Sequence, residues 1–478
     1  MRKTKIICTI GPATGAPEVL RELIRAGMDV ARLNFSHGET ALFAAWIRTI
    51  CKEAAAQGKT IAILQDLPGP KLRTGPVRAG EVTLISGDRF FLRTDPDEGS
   101  SQAVHIDYPG LPAEVKKGDP IFIDDGQIRL KVLKSSASEI ETEVIGGGTL
   151  RGRRGMNVPE SRLSLSAVSP QDLRYLDFGL AQGVDWVALS FVRRAADIET
   201  IRSHCLKKGK IPRILAKIER REALLYLEEI IEASDGVMVA RGDLGVEIPV
   251  EQVPLTQKKI IRLANQMGKP VVTATQMLES MVARPWATRA EVADVANAVL
   301  DGTDAVMLSQ ETSIGAHPLE AVRIMGRVTQ AVEDQVKVLD PAESAEENIS
   351  EAVVHGAIRM AERIRAGAIV AITRTGKTAR RLSAGRPSRS VIAIVPNAET
   401  ARALMPHRGV FPCVVADLES LEGKPVALFE KIHAAGMLKR SDPIVLTGGI
   451  PFGAPGSTSF ARVLHIPPRI NPETEKPK

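Results

Sequence analysis

The chain has 478 residues, 44% apolar and 25% charged, with a formal net charge of +6 from 63 basic and 57 acidic side chains. That length asks for two or three domains, and the composition is ordinary for a globular protein, so disorder is not the default reading. The modest basic excess suits anionic small molecules, and without basic runs interleaved with aromatics, only 4% of the chain, it argues against nucleic-acid binding.

The basic N-terminus holds an apolar run of only Ile6 to Ile10, too short for a signal peptide, and no apolar stretch reaches about 20 residues, so nothing is expected to span a membrane. Cys8, Cys51, Cys205 and Cys413 stand alone, without metal or disulfide spacing, which predicts a reducing, cytoplasmic setting. With aromatics scarce, the core must rest on Val, Ile, Leu and Ala, which favours helices packed on buried parallel strands.

Short β-branched runs then recur in chain order: Lys5–Ile10, Met28–Asn34, Thr60–Asp66, Asp185–Phe191, Arg213–Ile218, Gly236–Ala240, Pro270–Thr275 and Asp304–Ser309. Amphipathic stretches such as Glu39–Gln57, Arg220–Ser234 and Val253–Met267 separate them, and Ser169-Pro170-Gln171-Asp172 reads as a helix start. Eight strands alternating with helices predict an α/β protein built on a (β/α)8 TIM barrel; an open doubly wound sheet would need a glycine-rich nucleotide fingerprint that the chain lacks. The third and fourth runs lie about 120 residues apart, where a βα unit needs about 30. Period-two segments fill the gap (Glu81–Ile85, Ile121–Ile123, Ile128–Val132) with turns such as Asp124-Asp125-Gly126 between them. They predict a small all-β domain, residues 76–157, inserted in a βα loop as a lid over the barrel of residues 1–75 and 158–337. A long helix, Leu319–Gln335, and a polar linker, Asp340–Glu347, precede a C-terminal α/β domain of residues 348–470. That domain should hold helix Ser350–Ala366 and strands Ala368–Thr373, Ser390–Val395, Gly409–Val415, Pro443–Leu446 and Phe460–Ile466, before a loose tail, Asn471–Lys478.

Polar residues gather where the barrel strands end: Arg32, Asn34 and Ser36 on the second, Asp66 and then Lys71 and Arg73 on the third, Lys217 and Glu219 on the fifth, Arg241-Gly242-Asp243 on the sixth, Thr275 on the seventh, Ser309 on the eighth. Alternation puts Lys217 and Glu219 on one face, and Arg32, Asn34 and Ser36 on one face. An inert ion-pair network would explain them blandly, but buried charge gives little net stability, so a site is the better reading. Two carboxylates without His or Cys suit Mg²⁺ or Mn²⁺, and Arg32, Arg73 and Lys217 suit an anion. Gly242 lets backbone N–H groups approach a carboxylate. Such equipment fits phosphoryl transfer, and the absence of GxxxxGK[ST] excludes a Walker-type NTPase.

The runs ARLNFSHG (Ala31–Gly38), KIE (Lys217–Glu219), VMVARGDLGVEIP (Val237–Pro249) and TATQMLESM (Thr273–Met281), with the opening KIICTIGPAT and Thr288–Glu291, resemble the pyruvate kinase family over nearly the whole chain. The resemblance implies a phosphotransferase that passes a phosphoryl group from phosphoenolpyruvate to ADP, giving pyruvate and ATP. It implies Arg32 on the phosphoryl group; Asn34, Arg73 and Arg154 on the nucleotide; and Lys217 on the transferring group and enolate oxygen. Glu219 and Asp243 would hold Mg²⁺, while Gly242, Asp243 and Thr275 would hold the substrate carboxylate. Thr275 and Ser309 would relay a proton, with the donor itself unassigned. For Arg154 a solvated surface charge is an equal reading.

In many family members Asn34, Ser36, Asp66 and the carbonyl of Leu67 would ligate K⁺, and Glu stands where this chain has Lys71 in Gly69-Pro70-Lys71-Leu72-Arg73. The Lys71 ammonium, expected near the potassium position, predicts activity without added K⁺. Gln310 replaces the usual Gly, with no physical account. The turn Thr373-Arg374-Thr375-Gly376-Lys377-Thr378 opens a helix and resembles the family's site for phosphorylated effectors, as Thr447–Phe460 resembles its neighbouring loop; an N-cap with surface charges is the bland reading. A homotetramer is carried over from the family. A magnesium-dependent lyase or aldolase and a non-catalytic phosphometabolite sensor are the competing classes. The first leaves both extra domains unexplained, and the second conflicts with Lys217, Glu219, Asp243 and Thr275 standing together.

Overall fold

The computed structural model describes residues 1–78, 80–161, 163–336, 348–422, 424–438, 442–452 and 458–465. The predicted linker Asp340–Glu347, the tail Asn471–Lys478, Ile466 and the middle of the Thr447–Phe460 run lie outside those residues.

Eight parallel strands close into a barrel in sequence order: β1 (Lys5–Thr9), β2 (Val30–Asn34), β3 (Ala62–Leu67), β4 (Trp186–Leu189), β5 (Arg213–Ile218), β6 (Gly236–Ala240), β7 (Val271–Ala274) and β8 (Ala305–Leu308). The alternation of side chains sorts two cores. Ile6, Cys8, Ala31, Leu33, Ile63 and their equivalents face the helices. Ile7, Val30, Leu64, Ala188, Leu215, Met238, Val272 and Met307 fill the interior. Helix Pro170–Gln182 starts as the sequence predicts: Ser169 Oγ accepts the Asp172 N–H at 3.1 Å, and Asp172 Oδ2 accepts the Ser169 N–H at 2.8 Å. The predicted helix Arg220–Ser234 divides into a 3₁₀ segment, Arg221–Tyr226, and an α-helix, Leu227–Ala233.

Between β3 and β4 the chain builds a seven-stranded sheet and a two-stranded one over a separate core that includes Phe90, Leu92, Ile121, Leu130 and Val144. Asp124, Asp125 and Gly126 all take positive φ at the predicted turn. The sheet begins at Leu72 rather than Pro76, because Leu72 pairs with Met156 of the returning strand and ties the neck of the insertion. One short helix, Leu111–Glu114, interrupts its strands.

Beyond residue 348, helix Ile349–Arg363 packs on a five-stranded sheet ordered Val410–Val414, Ser390–Val395, Ala368–Ile372, Ile444–Gly448 and Phe460–Leu464, the last strand antiparallel. Met405 of this unit joins the barrel's interior cluster, and Lys5 Nζ donates to the Val410 carbonyl at 2.6 Å, so the unit caps the floor of the barrel. Among the described residues no helix is long and apolar enough to cross a membrane.

Candidate active site

The interior face of each strand sets the site. Two residues beyond interior positions Ile7, Val30, Leu64, Ala188, Leu215 and Met307 come Thr9, Arg32, Asp66, Ser190, Lys217 and Ser309. The period of two therefore carries the apolar interior into a polar crown at the C-terminal mouth. Register adds the rest: Asn34 stands beside Asp66 across β2 and β3.

Asp66 is the hub. Its Oδ2 accepts from Arg32 Nε at 2.7 Å and its Oδ1 from Lys217 Nζ at 3.2 Å. Arg32 Nη1 donates to Thr9 Oγ1 at 2.8 Å, and Lys217 Nζ donates to Ser190 Oγ at 2.7 Å while lying 2.9 Å from Glu219 Oε1. Glu219 Oε2 accepts the N–H of Phe191, a residue held at φ 55°, at 2.7 Å. Burial opposes both charges of the Asp66–Lys217 pair. The two cations beside Asp66 outweigh it and hold that carboxyl below the ordinary range, while Asp66 and Glu219 raise the Lys217 ammonium well above its own. Glu219 differs: burial pushes its carboxyl up, and Asp243 opposes the relief that Lys217 gives. A group that pulls positive charge between Glu219 and Asp243 would reverse that.

Asp243 sits in the first turn of helix Arg241–Glu247, directly after β6. The Gly242 N–H donates to Thr275 Oγ1 at 2.8 Å, so in this state the two predicted carboxylate-binding groups satisfy each other. Thr275 takes φ 68° and Gln276 φ 54°, unusual for residues with a Cβ. Arg241 braces them, with Nη2 donating to the Thr275 carbonyl and Nη1 to Asp294 Oδ1, both at 2.7 Å. Ser309 directly follows β8; its N–H donates to Glu311 Oε2 at 2.7 Å, and its buried Oγ has no hydrogen-bond partner among the described residues.

Lys71 pairs with the acid that follows β6. Its Nζ lies 3.3 Å from Asp243 Oδ1 and 3.8 Å from Asp125 Oδ1, and among the described residues it forms no ion pair with Asp66. The reason is topological, since the sheet starting at Leu72 carries Lys71 across Gly155, where an added Cβ would stand 2.5 Å from Lys71 Cε. Leu67 ends β3 and its carbonyl accepts from Ser190 Oγ at 2.7 Å, while Ser36 is exposed and its N–H donates to Asn34 Oδ1 at 3.2 Å. Arg73 and Arg154 lie at the neck: the Arg73 N–H donates to Asp107 Oδ1 at 2.8 Å, and Arg154 Nη1 lies 3.5 Å from Asp124 Oδ1.

Two partners escaped the sequence reading. Thr9 and Ser190 hold Arg32 and Lys217, and both show the same signal as the other site residues, a polar side chain where an apolar strand runs out, here β1 and β4. Asp66 was expected only as a cation ligand, whereas it is the shared counter-ion. The turn Thr373–Thr378 lies far from this mouth, opening helix Lys377–Ala384 with Gly376 at φ 78°. There Arg374 Nη2 lies 3.6 Å from Glu419 Oε1, and the Thr378 and Thr458 hydroxyls meet at 2.8 Å.

Comparison with known proteins gives consistent matches. The family model "Pyruvate kinase, barrel domain" matches residues 1–322, and "Pyruvate kinase, alpha/beta domain" matches residues 351–464. Pyruvate kinase 2 of a Synechocystis species is 45% identical over 97% of this chain and 79% of its own length. The pyruvate kinase of Staphylococcus saprophyticus is 43% identical over 98% of this chain and 80% of its own, and that of Thermotoga maritima 40% identical over 98% and 100%.

Proposed function

Since the chain belongs to the pyruvate kinase family, we propose that it transfers a phosphoryl group from phosphoenolpyruvate to ADP, giving pyruvate and ATP, as the last step of glycolysis in the cytoplasm. One observation carries this reading: Arg32, Lys217, Glu219 and Asp243, from the ends of two strands and a helix that follows a third, converge on one mouth, where the acid Asp66 is shared by Arg32 and Lys217.

The donor set fits magnesium. Two carboxylates, one driven toward protonation by burial and by the other's charge, make a hard oxygen site that leaves positions for water and substrate oxygens. Glu219 and Asp243 would hold Mg²⁺ (or Mn²⁺), which when bound supplies charge neutralisation for the phosphoryl and enolate oxygens. Arg32, pinned by Asp66 and Thr9, presents its guanidinium to the phosphoryl group. Lys217 keeps its proton and so stabilises negative charge on the transferring group and on the enolate oxygen. The substrate carboxylate takes over the Gly242 N–H from Thr275, with the Asp243 N–H beside it. The Thr275 hydroxyl, whose proton is given to the Ala274 carbonyl at 2.6 Å, and the Ser309 hydroxyl, without a partner among the described residues, then serve a proton relay to the methylene carbon. Arg73, Arg154 and Asn34 bind the nucleotide from the neck of the insertion, which closes over the mouth.

Lys71 supports a potassium-independent enzyme, its ammonium standing as a fixed cation among the site's acids. The Thr373–Thr378 turn supports regulation by a phosphorylated effector, and a homotetramer is the expected assembly. A coupled assay for ATP formation from phosphoenolpyruvate and ADP, with Mg²⁺ and without K⁺, tests the reading. Protein that stays inert with Mg²⁺, K⁺ and sugar phosphates all supplied would end it.

A further inference from the structure

The insertion leaves β3 and returns to β4 through two neck segments, and a buried acid of the barrel fastens each. On the outgoing side the Gly69 N–H donates to Asp172 Oδ1 at 3.0 Å; on the returning side Asn157 Nδ2 donates to Glu247 Oε1 at 2.9 Å. Asp172 already serves the start of helix Pro170–Gln182, where its other oxygen completes the capping box. Glu247 stands elsewhere: it is the last residue of helix Arg241–Glu247, the helix that carries Gly242 and Asp243.

Glu247 reaches three parts of the molecule. Its backbone belongs to the helix of Asp243. Its Oε1 holds Asn157, whose backbone pairs with Phe122 inside the sheet of the insertion. Its Oε2 lies 3.8 Å from Nε of Arg220, the residue next to Glu219. One carboxylate thus links the insertion to both acids proposed to hold the cation. Asn157 and Glu247 are each 4% exposed, so water neither competes for their bond nor screens it. A buried acid whose cation stands that far off adds little to stability, which leaves geometry as its contribution.

Other contacts between the insertion and this helix are softer. Lys71 Nζ lies 3.3 Å from Asp243 Oδ1 with both side chains partly open to water, and it must yield when Asp243 takes a cation. The Asp124–Gly126 turn rests on Val246, where a Cβ added to Gly126 would stand 3.9 Å from Val246 Cγ1, an apolar contact free to slide. Beside the Asn157–Glu247 bond a cleft of about 420 Å³ is lined by Pro159 and Ser161 of the returning segment and by Arg220 and Tyr226 of the barrel. The insertion therefore has room to swing and a sheltered bond about which to do so.

We propose that Glu247 is a positioning residue for the phosphoryl acceptor: by holding Asn157 it sets where the insertion, with Arg73 and Arg154, stands over Glu219 and Asp243. Resting on the phosphotransferase reading, this role predicts a split between the two substrates. Phosphoenolpyruvate is gripped by Arg32, Lys217 and Gly242 of the barrel itself and does not feel how the insertion is placed. ADP, held from the neck, does.

Calorimetric titration of the full-length protein with ADP and, separately, with phosphoenolpyruvate, Mg²⁺ present in both, tests it. Asn157→Ala should weaken ADP binding about tenfold and phosphoenolpyruvate binding less than about twofold. Glu247→Gln keeps an acceptor for Asn157 and loses only the charge, so ADP binding should weaken about two- to threefold. The two changes together should be no worse than Asn157→Ala alone, because the bond is already gone. Melting curves check folding; where Asn157→Ala does not fold, Asn157→Asp, which sets a second carboxylate against Glu247, should show the same split. Unchanged ADP affinity in Asn157→Ala, equal loss for both ligands, or additive losses in the double variant would each overturn the role of Glu247. Wild-type protein that binds no ADP would end the phosphotransferase reading itself, an outcome distinct from wild-type binding that the variants leave untouched.

Discussion

Both ends of the barrel bury charge, and they do so differently. At the floor, Asp304 is saturated: Oδ1 accepts from Arg386 Nη1 at 2.6 Å and from the Arg408 N–H at 3.0 Å, and Oδ2 from Arg386 Nη2 at 2.6 Å and the Val271 N–H at 3.0 Å. At the mouth, cations and acids are close but incompletely satisfied: Glu219 is pushed toward protonation, and among the described residues the Ser309 hydroxyl has no partner. A saturated acid such as Asp304 holds two parts of the chain together, even though the buried Nε of Arg386 and of Arg408 has no hydrogen-bond partner among the described residues. An unsaturated cluster, braced by second-rank partners such as Thr9, Ser190 and Arg241, is ready to bind something else.

The sharpest way to break this contrast is to cut each network once. Arg386→Met at the floor strands Asp304 in a buried setting and should cost about 3–5 kcal/mol of stability in urea unfolding, with turnover per folded molecule unchanged. A large fall in kcat without a change in unfolding would reverse the roles assigned to the two ends. Lys217→Met at the mouth should lower kcat on the order of 10²–10³-fold while phosphoenolpyruvate still binds, since only charge developed during transfer loses its partner. Equal loss of binding and turnover would make Lys217 a mere substrate clamp.

Acid titration sharpens the floor side. Burial alone would raise the Asp304 carboxyl; Arg386 outweighs it, so the folded value lies below the ordinary 3.8. A lowered folded value means the contribution is present above 3.8 and lost as pH falls through the depressed one. Asp304→Asn should therefore flatten the acid limb of the stability curve, and an unchanged limb would assign acid lability elsewhere. The smallest effect is expected at Lys71. Wild-type activity should not respond to K⁺, and Lys71→Glu should make it respond; indifference in both proteins would remove Lys71 from the argument.

The sequence by itself determined the alternation of strands and helices, the interrupted third crossover and the polar crown at the mouth. These are local facts: side chains alternate every two residues, so Leu215, Lys217 and Glu219 share a face whatever the rest of the chain does. Tertiary structure decided who meets whom. Lys71 reaches Asp243 because Leu72 pairs with Met156, and Asp66 becomes the counter-ion of both Arg32 and Lys217 only once three strands close into a barrel. Asn157 meets Glu247 because the returning strand of the insertion lands on the helix that follows β6, and no period in the sequence encodes a contact between residues so far apart.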